Sequence, residues 1–316
     1  MFFTIFLTEI FMQIDFAPME GVTDYIFRKI FNDYFKGVLR YYTPFLSPMP
    51  KRILAPKEFR EVDPKNNDKI NLIPQILTNN ANDFSLAAEM LYDMGYETIN
   101  LNLGCPSGTV TAKGKGSGFL KYPEELEIFL GEIFKGNKYK ISIKTRIGVE
   151  REEEWDEILE IYKKFPISEL IVHPRLMKEQ YRGNVHISAY EKAYNIFSSK
   201  ITYNGDIKKK GDIDKIIEQF PKTEKIMLGR GLIGNPYLAE EVSGNKLSDK
   251  KTIKEFAREL YKAYADEFQS EHAAVNRMKG IWFYLLNSFE DINKNTKLIK
   301  KASNAIQLES AVMQIR

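Results

Sequence analysis

Cysteine is almost missing from this chain: Cys105 is the single one in 316 residues. No intramolecular disulfide can form, which excludes the disulfide-stapled secreted domains and makes the cytoplasm the simplest address. Long apolar runs are missing as well. The N-terminal run at residues 1–7 is too short to cross a bilayer as a helix. It also lacks a preceding basic residue and a following small-residue cleavage site, and Glu9 interrupts it, so it does not read as an export signal. Met12, just before the first strand-like stretch, is a candidate start of translation. No segment is of low complexity, and neither sign of charge dominates, the formal net charge being +3. The balance is uneven, however. From Asn245 onward 13 Lys or Arg stand against 9 Asp or Glu, a surplus that suits a polyanionic partner for the tail.

What the chain does have is regular alternation. Apolar runs predict short strands at 14–19, 38–45, 71–77, 98–103, 140–146, 169–174, 200–204 and 225–229. Segments of helical spacing lie between most of them, such as Phe84, Ala87, Ala88 and Leu91, or Trp155, Ile158, Leu159 and Tyr162. Strands and helices in this order predict an α/β fold, a closed (β/α)8 TIM barrel over residues 1–244 rather than an open doubly wound sheet. Residues 245–316 change to all helix. Ile253, Phe256, Ala257, Leu260, Tyr261, Tyr264 and Phe268 share one face, as do Val275, Met278, Ile281, Trp282, Leu285, Leu286 and Phe289. With a third helix expected over 298–313, they predict a small C-terminal helical bundle whose stripes are packing surfaces. Arg277 and Lys279 lie off the second stripe and are expected to be exposed.

A TIM barrel gathers reactive groups at the C-terminal ends of its strands, and the predicted strands end in such groups. The first ends in Pro18, Met19 and Glu20, the third in Gln75, the fourth in Asn102 and Cys105. Lys144 and Arg146 close the fifth, His173 and Arg175 the sixth. The last two run into Asn204-Gly205-Asp206 and Gly229-Arg230-Gly231, where glycine lets backbone N–H groups approach an anion and Arg230 adds a charged fork. By itself a lone cysteine reads as a small buried hydrophobe. Cys105, though, stands just past a strand end in a turn fixed by Gly104 and Pro106. A phosphate grip, a lysine and an amide suit a phosphorylated, planar cofactor over the barrel mouth, and flavin mononucleotide (FMN) answers that description. Lys144 could equally be a Schiff-base nucleophile, so alone it decides nothing. The stretch "SGTVTAKGKGSG", with Lys113 and Lys115, reads either as a mobile loop that orders over substrate or as a plain surface loop. Lys208, Lys209 and Lys210 read as a solvated run or as phosphate contacts.

Taken in order, "APMEGVTD" at 17–24, "NLNLGCPS" at 100–107, "SIKTRIG" at 142–148, "IVHPR" at 171–175, "YNGDI" at 203–207 and "GRGLIGNP" at 229–236 resemble the tRNA-dihydrouridine synthases. The tail segment "VNRMKGIWFYLL" resembles that family's RNA-binding bundle. The resemblance implies an FMN enzyme that uses NADPH, or NADH, as a transient reductant to reduce the C5–C6 double bond of uridine in folded tRNA. By the family's pattern Pro18, Met19, Glu20, Gln75, Lys144, His173, Asn204, Gly205, Asp206, Gly229 and Arg230 hold FMN. Asn102 and Arg146 face the uracil, and Cys105 is the general acid. Lys113, Arg175, Tyr181, Arg277 and Lys279 complete the candidates for substrate contact. No metal, membrane or protein partner is expected, and a monomer suits a bulky RNA substrate. Cysteine is a fitting residue for the acid, because hydride reaches uracil C6 and C5 must then take a proton from a group that still holds one at neutral pH. An ordinary thiol titrates near ~8.5, whereas adjacent cations lower that value and weaken the acid. The target base must leave its stack to reach such a site, so recognition rests on RNA shape and backbone.

Three positions depart from the family's usual pattern: Gly108 where a basic residue is common, Pro174 where a glycine is common, and Phe119 where a small residue is common. They bear on which uridine is reduced and remove no group the chemistry needs. Rival readings are an FMN barrel acting on a small unsaturated molecule, a dihydrouridine synthase acting on ribosomal RNA, and a non-catalytic RNA-binding protein. The helical tail weighs against the first, and Cys105, Lys144 and Arg146 weigh against the last.

Overall fold

The computed structural model describes residues 12–49, 52–245 and 249–315. The apolar run at 1–7 therefore lies outside the described residues. Nine parallel strands form one sheet: β1 Gln13–Phe16, β2 Val38–Tyr42, β3 Leu72–Ile73, β4 Gln75–Ile76, β5 Thr98–Leu103, β6 Lys140–Thr145, β7 Glu169–Val172, β8 Ile201–Tyr203 and β9 Lys225–Leu228. The order β3-β2-β1-β9-β8-β7-β6-β5-β4 puts β3 and β4 at its two ends. They are halves of one predicted strand, parted by Pro74, which has no N–H for a ladder. Leu72–Ile73 pairs with β2 and Gln75–Ile76 with β5, so the interrupted strand closes the eightfold barrel that the alternation predicts.

Alternate residues of each strand fill the interior in layers. At the bottom Arg40 bridges two buried carboxylates, bonding Asp15 and, at 2.7 and 2.8 Å, Glu169. Above it lies an apolar plug of Ala17, Tyr42, Ile73, Ile171 and Met227. The top layer is polar again, and it is the floor of the site. Residues of the opposite parity, such as Ile99, Leu101 and Leu103, are fully buried in the main hydrophobic core. Among the described residues, no helix is long and apolar enough to cross a membrane.

The tail comprises helices Lys250–Phe268, Glu271–Leu285, Ile292–Lys301 and Ala305–Gln314. Both predicted stripes are buried or partly buried in the core. The third helix, expected unbroken over 298–313, is instead two. Asn304 accepts from the Gln307 N–H at 2.9 Å and Ser303 bonds Gln307 Oε1, a fresh N-cap that starts a new helix.

Candidate active site

At the C-terminal mouth the barrel opens into a cavity of about 680 Å³. Its wall brings together Pro18, Met19 and Glu20 beyond β1, Gln75 of β4, Asn102 of β5 with Cys105 beyond it, and Lys144 of β6 with Arg146. His173 and Tyr181 follow β7, Asn204, Gly205 and Asp206 follow β8, and Gly229 and Arg230 follow β9. Sequence reasoning missed Pro44 and Phe45, beyond β2, and Tyr284 from the tail. The first two carry no titratable group. Tyr284 was overlooked because helical periodicity says which face packs, not what a neighbouring residue reaches.

A chain of amides crosses the floor. Asn100 Nδ2 donates to Ser142 Oγ at 2.8 Å, Gln75 Nε2 to Asn100 Oδ1 at 2.7 Å, and Asn102 Nδ2 to Gln75 Oε1 at 2.7 Å. Asn102 Oδ1 then accepts from the backbone N–H groups of Gly104 and Cys105, at 3.0 and 2.9 Å. Each donor faces an acceptor, and the NH2 groups of Gln75 and Asn102 each retain one further N–H for a ligand.

The glycine-rich stretch lines the cavity with Ser107 and Gly108 and then turns into the core. It folds into a helical turn, Gly108–Thr111, and a 3-10 helix, Gly116–Lys121, in which Gly116 to Leu120 are buried. Ser117 donates to the Cys105 carbonyl from its N–H at 3.1 Å and its Oγ at 2.9 Å. At Gly116, where φ is +59°, an added Cβ would stand 2.7 Å from that same carbonyl oxygen. Gly116 and Gly118 are there for close backbone approach. Phe119 packs edge-on against Phe129 in the core. Lys113 is exposed and does not line the cavity.

Burial and charge set the protonation states. Burial lowers Lys144 to about 7, with Arg146 pushing the same way and Cys105 opposing. Arg146, brought down to about 10 chiefly by burial, donates to Gly104 O at 3.0 Å and Leu176 O at 2.8 Å. His173 is held well below the usual histidine range by burial and then by Arg146, Lys144, Arg175 and Arg230, so it is neutral at pH 7. For Cys105, burial outweighs the pull of the Ser107 N–H, Arg146 and Lys144, and the thiol is pushed up, Glu20 adding to the rise. The cations beside it therefore do not spoil it as an acid. Tyr181 projects over the mouth, its ring centre 5.3 Å from the Arg146 guanidinium and 4.6 Å from that of Arg230.

Three further candidates are placed elsewhere. Arg175 is buried, does not line the cavity, and is committed to Asp206 and to the Gly183 and Arg182 carbonyls. It anchors the wall, and it lowers the Asp206 carboxyl by hydrogen bonding. Arg277 is not free on the surface: it donates to Gly21 O and pairs with Asp24 at 3.1 Å. Lys279, on the same helix, is partly exposed and also lies off the cavity wall.

The loops after β8 and β9 meet closely, since a Cβ at Gly231 would lie 1.9 Å from the Ile207 carbonyl oxygen. Gly229 caps the short helix Arg230–Gly234 without a side chain, leaving its first amides open to an anion beside Arg230 and Lys208. The segment from Gly229 to Gly234 has G-x-G-x-x-G spacing directly after a strand. In isolation that reads as a dinucleotide fingerprint, but here it closes the barrel and the chain runs on into the tail, so it forms no βαβ nucleotide unit.

The dihydrouridine synthase (Dus) family model matches residues 15–315. The chain belongs to the dihydrouridine synthase family. It is 28% identical over 233 residues to tRNA-dihydrouridine synthase B of Pasteurella multocida (strain Pm70), covering 72% of this chain and 67% of that protein. A probable tRNA-dihydrouridine synthase of Staphylococcus aureus (strain Mu50) is likewise 28% identical over 233 residues, covering 71% of this chain and 70% of the relative. Among solved structures, the old yellow enzyme from Trypanosoma cruzi superposes with a TM-score of 0.53 at 8% identity, covering 76% of this chain and 91% of that one. That likeness is one of fold, and it agrees with the barrel.

Proposed function

We propose that this member of the dihydrouridine synthase family reduces the C5–C6 double bond of uridines in tRNA, with Cys105 as the acid and a flavin, FMN, at the barrel mouth. The observation that carries the reading is the placement of Cys105, whose backbone N–H bonds Asn102, in one cavity with Lys144, Arg146 and Arg230, burial pushing its thiol up. The names of the relatives support tRNA as substrate.

The donor set fits a phosphorylated flavin. Gly229, Gly231 and Arg230 would hold the phosphate, with Lys208 at the rim, and Gln75 and Lys144 would bind the ring system, where Lys144 would stabilise the negative charge that accumulates on reduction. When bound, the flavin supplies the hydride. The chain's own residues do the rest. Asn102 and Arg146 orient the uracil, and Tyr181 offers an aromatic face at the mouth. The Cys105 thiol gives its proton to C5, and the thiolate left behind, stabilised by Lys144 and Arg146, recovers a proton from solvent. A pyridine nucleotide, NADPH, would supply the electrons that reduce the flavin. Residues 245–316 form the RNA-binding unit, where Lys294, Lys297 and Lys301 stand exposed on one face of Ile292–Lys301 and suit a phosphate backbone. The protein acts in the cytoplasm as a monomer.

The test is anaerobic. Flavin-reduced protein is mixed with unmodified tRNA, and reoxidation is followed together with dihydrouridine content. Coupled reoxidation and product formation are expected; a bound flavin that tRNA leaves reduced would refute the substrate assignment.

A further inference from the structure

We propose that Arg277 is a positioning residue, through which the Glu271–Leu285 helix holds the β1 loop in place against the cavity. The β1 loop is a tight turn. Val22 N–H and Thr23 N–H both donate to Met19 O at 3.0 Å, Met19 N–H donates to Thr23 Oγ1 at 2.8 Å, and Gly21 takes φ +73° at the corner. Met19, Glu20 and Val22 from this turn line the cavity. Its outer corner is gripped by the tail: Arg277 donates to the Gly21 carbonyl and pairs with Asp24, while Tyr264 Oη donates to Asp24 Oδ1 at 2.8 Å. The guanidinium lies 5.3 Å from the Tyr264 ring centre and 5.7 Å from that of Phe268, two rings that stack on each other and pack against it together.

The same helix also reaches the neighbouring loop, the one after β9. Two turns on from Arg277, Tyr284 lines the cavity. Just beyond the helix end, Ser288 Oγ donates to Gly234 O at 2.6 Å, and a Cβ at Gly234 would lie 3.3 Å from Asn287. The helix thus spans from the turn after β1 to the short helix after β9, the loops of two strands paired side by side in the barrel. Arg277 is spent on this brace, with both its charge and its hydrogen bonds directed at the barrel.

The kinetic arm of the test rests on the tRNA reading; the exchange arm does not. Arg277→Met, Arg277→Lys and Asp24→Asn are compared, Asn preserving the helix cap that Asp24 supplies to Phe27 while removing the ion pair. Amide hydrogen exchange at Val22 and Thr23 is expected to rise about tenfold or more in Arg277→Met and Asp24→Asn, with partial rescue in Arg277→Lys and no change in β5. Single-turnover flavin reoxidation at saturating tRNA is expected to fall by about tenfold, because a displaced wall misplaces the reacting groups, with the half-saturating tRNA concentration and its salt dependence unchanged. Unchanged exchange together with a loss confined to tRNA affinity and a shallower salt slope would overturn the proposal and make Arg277 a phosphate contact. If wild-type protein is not reoxidised by tRNA, the substrate assignment falls and the exchange result alone decides the brace. If Arg277→Met does not fold, Asp24→Asn carries the same comparison.

Discussion

Asn102 holds Cys105 by the backbone: one side-chain oxygen accepts the N–H groups of Gly104 and Cys105, while the amide nitrogen of the same side chain is tied to Gln75. The acid's position is therefore set by a residue that is also part of the cavity floor. Asn102→Ala breaks both connections and leaves buried partners unsatisfied, at a cost of about 1–3 kcal/mol. Thermal or urea unfolding should show that loss, and turnover should fall further than flavin affinity. A variant with wild-type turnover would mean that Cys105 needs no such tether.

Cys105→Ala removes the proton donor and leaves the cofactor cradle intact. Flavin content and reduction by NADPH should match wild type, while flavin reoxidation by tRNA slows by about 10²–10⁴-fold, the usual worth of a placed acid. Reoxidation at the wild-type rate would assign the proton to another group.

The glycines after Cys105 differ in what they bear, and alanine scanning separates them. Gly116→Ala meets both a positive φ and the Cys105 carbonyl at 2.7 Å, whereas nothing lies within 4 Å of a Cβ at Gly108, whose φ is ordinary. Gly116→Ala should destabilise by about 1–3 kcal/mol or more and slow the reaction through Cys105. Gly108→Ala, at the start of a helical turn, should be neutral within about 0.5 kcal/mol. Melting temperatures and single-turnover rates for the pair check both.

The contrast between these glycines marks what could be read from the chain. Strand periodicity placed the strand ends, and through them Cys105, Lys144, Asn204 and Gly229, on one cavity wall, because a closed parallel barrel leaves reactive side chains only one place to gather. Pro74 as the seam, Asn304 as a new helix cap and the packing role of Gly116 depend on partners that local pattern does not name. Arg175 and Arg277 show the same limit for charge. A cation at a strand end or off a helical stripe looks free until the fold supplies Asp206 to Arg175 or Asp24 to Arg277.

Burial of the ion pairs at the barrel floor gives a stability prediction remote from the chemistry. Arg40 is the counter-ion shared by Asp15 and Glu169, both buried. Arg40→Met would leave two carboxylates without it, and loss of one partner in such a setting costs about 3–5 kcal/mol. The variant should unfold at markedly lower denaturant. Because the apolar plug separates this layer from the cavity, whatever fraction stays folded should bind flavin with wild-type affinity.

Lys144 supplies the pH dependence. Its folded value is about 7, below the ~10.4 of a free lysine. Between these values the unfolded chain binds more protons than the folded one, so this group's contribution to stability rises with pH over that window, and its penalty is full only below pH 7. Lys144→Met should therefore stabilise the flavin-free protein most at pH 6 and least near pH 10. An anionic ligand beside Lys144 reverses the shift and draws a proton on. Anaerobic titration of flavin-free protein with reduced FMN, whose ring is anionic at pH 8, in buffers of different ionisation enthalpy, should show uptake approaching one proton per site in wild type and much less in Lys144→Met. Equal uptake in the two proteins would remove Lys144 from the cofactor's anionic edge.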